Sequence, residues 1–495
     1  MEQFPVEIWL SAIEYLDDKE LQALIGVSRL FFELGMDRRY QEVEITTGDK
    51  KAKEWLTRLL EPQVARRVKK LTVQLIQSLY NTPPTASSSS HRSFGRHIAD
   101  QLRTVVQKVV RPVTPEPNTK QPMLSDIEVL IEAFPRMVNV ADFRIVTWAI
   151  PLPARDLFPL YDAAWSAFGG NLKRISICAN LNGFEALIAS SPNYVKLETL
   201  ELEFSDLPRI DPAADAAMLT QTVVPFVNKL CPQIKTFKIR SWANLDLSPF
   251  FLNVDPFPVL KTTLMRIPFN RALSTDPSGF TKYIHESSKS LTKVALRLSP
   301  TGLALDPYIE QSLCDWMEAL VSDPRCFAKV KHLDICPTHL APGMDILHHS
   351  IQRTRESIVE FTVRDRYLGP DDVVAVVKGL KASQSLTSLR LNVLSLSAAM
   401  FDLMAQTLPG LRTLWLSTGI PENQSSLDLL GNDMKTRRYG NWKLVDLSIW
   451  QAGNELDEAI MLAILRSIPS VYRLWEDDAA VRRGDGDSVQ IIRFT

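Results

Sequence analysis

Cys336-Pro-Thr-His339 and the adjacent pair His348-His349 are the nearest this 495-residue chain comes to a set of metal ligands. A structural zinc wants four Cys or His donors in closely spaced pairs, and here no second cluster completes the set. The remaining cysteines, Cys178, Cys231, Cys314 and Cys326, bring the total to five, an odd number with no C-x-x-C spacing. That pattern argues against a disulfide framework or a zinc finger, and reduced thiols, mostly in the core, are expected. A catalytic cysteine would need an activated thiol in a basic setting, and no cysteine announces one in the sequence. The chain has no G-x-x-x-x-G-K, H-E-x-x-H or G-x-S-x-G pattern and no calcium loop. It is therefore expected to be no enzyme, to hold no cofactor and no metal, and to act by bringing other molecules together.

The bulk charge excludes further classes. Fifty-six Lys and Arg against 57 Asp and Glu leave a formal charge of −1, so neither nucleic acid nor an anionic membrane is expected as a partner. No apolar run reaches the roughly 18 residues that cross a bilayer. Glu2 and Glu7 stand where a secretory signal would be basic and then apolar. The expected location is the cytoplasm, the nucleus or both.

The elements that could position a binding site begin at Phe4. Phe4-Pro5 can open a helix, since proline's missing N–H is not needed in the first turn. Ile8, Trp9, Ala12, Ile13 and Leu16 follow at helical spacing. Asp17 with Glu20 reads as a capping box for a second helix carrying Leu21, Leu24, Ile25 and Val27, and Ser28 can cap a third with Leu30, Phe31, Phe32 and Leu34. About forty residues thus carry apolar groups on more sides than they can turn toward one another. A trio of helices whose spare face is covered by another protein is expected. The order Phe-Pro-x-Glu-Ile, Tyr-Leu, Leu-x-x-Leu, Val-Ser-Arg-x-Phe over residues 4–45 closely resembles the F-box. The resemblance implies docking onto a Skp-type adaptor, and through it onto a cullin. The contacts it carries over fall on Phe4, Pro5, Ile8, Ile13, Leu16, Leu21, Leu24 and Val27.

Beyond residue 60 an apolar triplet in the order L-x-x-L-x-L keeps returning after a helical stretch, as in Leu197/Leu200/Leu202, Leu291/Val294/Leu296 and Leu411/Leu414/Leu416. Weaker echoes stand at Val68/Leu71/Val73, Val140/Phe143/Ile145, around Leu260 to Ile267 and at Val471/Leu474. A strand plus a helix at a period of mostly 25–39 residues cannot bury its own apolar side, so the units must stack. This part resembles the leucine-rich repeats whose helices lie on the outer side. That family places an asparagine eight residues after the first leucine. Asn180 fills the place, but Ser205, Trp242, Ser299, Arg366 and Leu394 occupy it elsewhere. The fold class expected is α/β: a three-helix F-box, then an irregular leucine-rich-repeat solenoid with parallel strands on the concave side and helices on the convex side.

The divisions read from the sequence are 1–45 for the F-box, 46–78 for a first helix–strand unit, 79–122 for an insert, 123–476 for the solenoid and 477–495 for a terminal cap. The insert holds Pro/Ser/Thr-rich linkers around an amphipathic helix. Residues between the triplet positions should line the concave face by the two-residue alternation of a strand. They include Glu201 and Glu203, then Lys238, Arg240, Arg297, Arg364 and Arg390, with Trp242 and Arg366 beyond two of the same strands. Trp415, Trp450 and Trp475 follow near the end. From Lys238 onward these are the expected target-binding residues, suited to a target with acidic or phosphorylated groups and an apolar anchor. With the two resemblances, the functional expectation is the substrate-recognition subunit of a cullin-type (SCF) ubiquitin ligase, its target unknown. The alternative is a non-catalytic scaffold that uses the same modules without promoting ubiquitination.

Overall fold

The structure is a computed structural model. It describes residues 8–9, 15–16, 18–75, 122–147, 154–189, 194–204, 211–241, 245–298, 306–418, 424–451, 456–476, 479–483 and 489–493. The amphipathic helix expected inside the 79–122 insert lies outside the described residues. Among those described, the chain up to Leu230 forms one compact unit and the chain from Cys231 onward a second. The division falls inside the 123–476 stretch. No helix of the described residues is long and apolar enough to cross a membrane.

The first unit carries five strands, β1 (Glu42–Thr46), β2 (Lys70–Gln74), β3 (Asp142–Val146), β4 (Arg174–Ala179) and β5 (Thr199–Phe204), each paired in parallel with the next. Parallel neighbours need a crossover, and helices such as Lys50–Leu59 and Phe158–Phe168 supply it. The apolar triplets point into the layer between strands and helices: Leu197, Leu200 and Leu202 are fully buried, as are Val140, Phe143 and Ile145. Strand β1 was not in the expected series. Its signal is Tyr40-x-x-Val43-x-Ile45, the same spacing with an aromatic first member, and all three are buried.

The second unit continues the pattern with β6 (Thr236–Ser241), β7 (Thr262–Arg266), β8 (Lys293–Arg297), β9 (His332–Ile335), β10 (Glu360–Val363), β11 (Ser388–Val393), β12 (Thr413–Thr418), β13 (Asp446–Gln451) and β14 (Arg473–Glu476), again all parallel. The weak echo around Leu260 resolves into β7. Its middle triplet position is Thr263, fully buried, whose hydroxyl lies 2.8 Å from the Tyr283 hydroxyl. A polar residue satisfied inside the core had masked the repeat. At the far end β15 (Ala479–Arg483) and β16 (Val489–Arg493) add antiparallel to β14, so the parallel stack ends in a meander. Antiparallel neighbours need only a short turn, which is why no helix separates them.

The opening helices have a small core of their own. Leu21 and Phe31 are buried, with Leu16, Leu24 and Leu34 packed against them. Ser28 caps the helix Arg29–Tyr40 by accepting from the Phe31 N–H. Arg67, at the end of the next helical turn, pairs with both Glu33 and Asp37 and so fastens this helix to the first repeat.

Candidate functional site

Two surfaces carry the residues that the sequence marked. On the opening helices, Ile8 is 52% exposed and Val27 67%, and beside them Trp9 and Phe32 also reach solvent. Leu16 and Leu24 are half-buried. Leu21, expected among the adaptor contacts, is only 3% exposed and packs on Phe31. Its position holds the trio together and offers no surface in this structure. Phe4, Pro5 and Ile13 lie outside the described residues. Among the described residues of this stretch, Leu21 and Phe31 form the buried cluster, and it leaves these apolar groups uncovered.

The second surface is the strand face of the second unit that turns away from the helices. The register aligns its outward positions into rows. One runs Ala295, Asp334, Thr362, Arg390, Trp415, Ser448, Trp475. Lys238, Arg240, Arg297, Arg364, Arg390 and Trp450 are half-buried on this face, and Trp415 is exposed. Arg297 sends Nη2 to Asp334 Oδ2 at 2.6 Å, and Arg364 places Nε at 2.9 Å from both oxygens of the same carboxylate. Two guanidinium groups therefore share one acid.

Arg390 has a different environment. Its Cζ lies 3.9 Å above the Trp415 ring, a cation–π stack set up by the direct pairing of the two residues across β11 and β12. Among the described residues it has no hydrogen bond to a carboxylate, and its buried Nε has no acceptor. Burial, then the like charge of Arg364, pulls its pKa down to about 10, still charged at neutral pH. The adjoining row differs: His332 pairs with Glu360 at 3.0 Å and Arg473 grips Asp446 at 2.7 and 3.0 Å, each directly across a strand pair. Two residues beyond the row of Ala295 and Asp334, Arg240, Arg266 and Arg297 stand directly across from one another on successive strands, so cations gather on the rows beside these ion pairs.

Some expected residues serve elsewhere. Arg366 is 9% exposed, and its Nη1 donates at 2.7 Å to the carbonyls of both Thr338 and Leu340. It occupies the place where a leucine-rich repeat has asparagine and does that residue's work, tying the turn of the preceding repeat. Gly343 makes the room, since a Cβ there would stand 2.5 Å from the Arg366 Nη1. Arg366 is a structural residue and not a target contact. Asn180 holds its own turn by accepting from the Gly183 N–H at 2.8 Å. Glu201 and Glu203 are nearly fully buried on the first unit's strand face, with Arg174 3.0 Å and Arg144 3.6 Å away. Trp242 lies outside the described residues, and Trp475 is placed by its backbone pairing with Ser448.

The sulfur chemistry considered first is silent where the sequence looked for it. Cys336 is buried, and burial followed by the neighbouring Asp365 pushes its thiol well above the usual range. That is opposite to what a nucleophile needs. All five cysteines are free and buried.

No protein-family model matches the chain, and no curated protein does. Among solved structures, one described as the Rad7 and Elc1 complex in yeast is similar at 15% identity, over 75% of this chain and 96% of that one. The TM-score is 0.38, a level at which the likeness carries no argument.

Proposed function

We propose that this chain is the substrate-recognition subunit of a cullin-type ubiquitin ligase. In this reading the opening helices dock a Skp-type adaptor, and the open strand face of the second unit holds the target. The observation that carries it is the apolar surface at Ile8, Trp9, Val27 and Phe32 beside the buried Leu21 and Phe31, in a stretch whose motif resembles the F-box. Burying one such side chain in a partner is worth about 1.5–3 kcal/mol, so a few suffice to anchor a complex. The target face contributes the stacked Arg390–Trp415 pair and the Arg297–Asp334–Arg364 cluster, a composition of the kind enriched at binding hot spots. Acceleration would come from holding the target beside a charged conjugating enzyme, without side-chain chemistry from this chain.

The test is co-expression with an adaptor and affinity recovery. Ile8→Asp combined with Val27→Asp changes two exposed positions, so the repeats should stay folded while adaptor recovery falls to background. Undiminished recovery from a folded double variant would remove the docking assignment. Recovery of adaptor without cullin from cells would favour a scaffold that does not promote ubiquitination.

A further inference from the structure

The fold brings together three metal-ligating side chains that are far from any motif spacing. His285 stands in the last turn of the helix Ser278–Ser287, Asp323 is the residue that ends the helix Pro307–Ser322, and Cys326 lies in the turn that leads to β9. One nitrogen, one carboxylate oxygen and the sulfur lie within 4.8 Å of one another. Arms of about 2.0–2.3 Å around a tetrahedral zinc give edges of roughly 3.3–3.8 Å, so a small inward movement closes the trio on a metal. His285 Nε2 is already 3.3 Å from Asp323 Oδ2, an ion-pair distance, and is sealed from solvent. A cation between these two ligand atoms would satisfy both.

The surroundings have the same sense. A carboxylate at a helix C-terminus opposes the helix dipole, so Asp323 does not stand there to stabilise its own helix, whereas a cation at that end is favoured. Arg353 supplies some of that positive charge by donating to the Val321 and Ser322 carbonyls, and Arg325 holds both Asp323 oxygens from the exposed side. The Arg325 backbone N–H and Nε fill Oδ1, so Oδ2, which faces His285, is the oxygen that would bind, and an outer partner of this kind orients a ligand. Ser288 Oγ donates toward the Cys326 sulfur at 3.9 Å. Next to Cys326, the buried Phe327 adopts a φ of 63°, a left-handed conformation that a bulky residue adopts only under constraint. The strain holds the chain in the path that turns Cys326 inward.

We propose that His285, Asp323 and Cys326 form a zinc site that staples the end of one repeat helix to the turn entering β9. Imidazole, carboxylate and thiol together suit a borderline ion such as zinc, with water as the fourth ligand. Binding replaces the thiol proton: the Cys326 S–H bond breaks, the sulfur's electron pair passes to the metal, and one proton leaves to solvent.

The test uses the full chain, stripped with a chelator and titrated with cobalt(II) as the spectroscopic substitute for zinc. One equivalent should bind with a thiolate-to-cobalt charge-transfer band, and zinc should displace it. Cys326→Ser should abolish the band, His285→Gln should weaken binding at least about 10-fold, and Cys314→Ser, at a buried cysteine outside the trio, should change nothing. Zinc should raise the unfolding temperature of the parent protein and not that of Cys326→Ser. Absence of a thiolate band in the parent, or its survival in Cys326→Ser, overturns the site. If Cys326→Ser does not fold, unchanged affinity in His285→Gln overturns it equally.

Discussion

Arg366 and Arg390 are equally basic in the sequence and opposite in role. Arg366 donates to the carbonyls of Thr338 and Leu340, and a charged hydrogen bond of this kind is worth about 1.5–3 kcal/mol. Arg366→Ala is therefore expected to lower stability by at least that order, read as an earlier urea midpoint, with no effect on adaptor recovery. Arg390 is held in a setting that disfavours its charge. Arg390→Ala gives up a stack worth about 0.5–2 kcal/mol and also removes a cation whose burial and like-charged neighbours disfavour it. The two terms oppose, and a net stability change below about 1 kcal/mol is expected. A urea midpoint for Arg390→Ala lowered as far as that of Arg366→Ala would show that Arg390 is a structural residue too. The contrast follows from one feature, the presence of carbonyl acceptors around one guanidinium and of an indole under the other.

At the scale of the element, the strand of each repeat tolerates any first or middle residue that can be buried without an unmet polar group. Tyr40 opens the β1 triplet, and Thr263 takes the middle of β7 because Tyr283 answers its hydroxyl. Tyr283 is itself packed among Phe237, Phe251 and Phe257, with no water in reach. Thr263→Val should leave the tyrosine hydroxyl unsatisfied at a cost of about 1–3 kcal/mol. Adding Tyr283→Phe should recover most of that loss, because both partners are then apolar. A double-mutant cycle on thermal unfolding measures the coupling; additive losses would mean that the hydroxyl pair contributes nothing specific to the strand.

The whole molecule buries many groups that must ionise when it unfolds in alkali. Desolvation pushes the hydroxyls of Tyr161, Tyr194 and Tyr283 well above their ordinary 10.0, and moves Cys231 from 9.0 up to about 12. For an acid whose folded pKa is raised, the unfolded chain loses its proton first. The stabilising contribution is whole below the unfolded value and is lost as pH climbs from there toward the folded value. Arg390 acts in the opposite direction, since its lowered pKa relieves a cost above about 10, but it is one group against several. Stability should thus fall steeply above about pH 9, the ordinary thiol value. Tyrosinate absorbance beyond the share of the exposed Tyr15, Tyr308 and Tyr472 should appear together with the loss of helical circular dichroism. A larger tyrosinate signal well before unfolding would show that the buried hydroxyls are not sealed.

The sequence by itself determined the repeat. Apolar residues at L-x-x-L-x-L spacing can be buried only one way, so the strands, their parallel order and the outward turn of Arg297, Arg364, Arg390 and Trp415 were legible from periodicity. The surplus of apolar side chains on the opening helices was equally legible, because it is a matter of number and length. Side-chain partnership was not. Nothing in the spacing says that Arg364 and Arg297 meet on Asp334, that Arg366 turns back to two carbonyls, or that Leu21 faces inward while Val27 faces out. The trio His285, Asp323 and Cys326 was invisible for the same reason: its members are brought together by the stacking of one repeat on the next. Periodicity fixes which way a side chain points, whereas the partner it finds depends on the registration of elements distant in the chain, which only the packed structure decides.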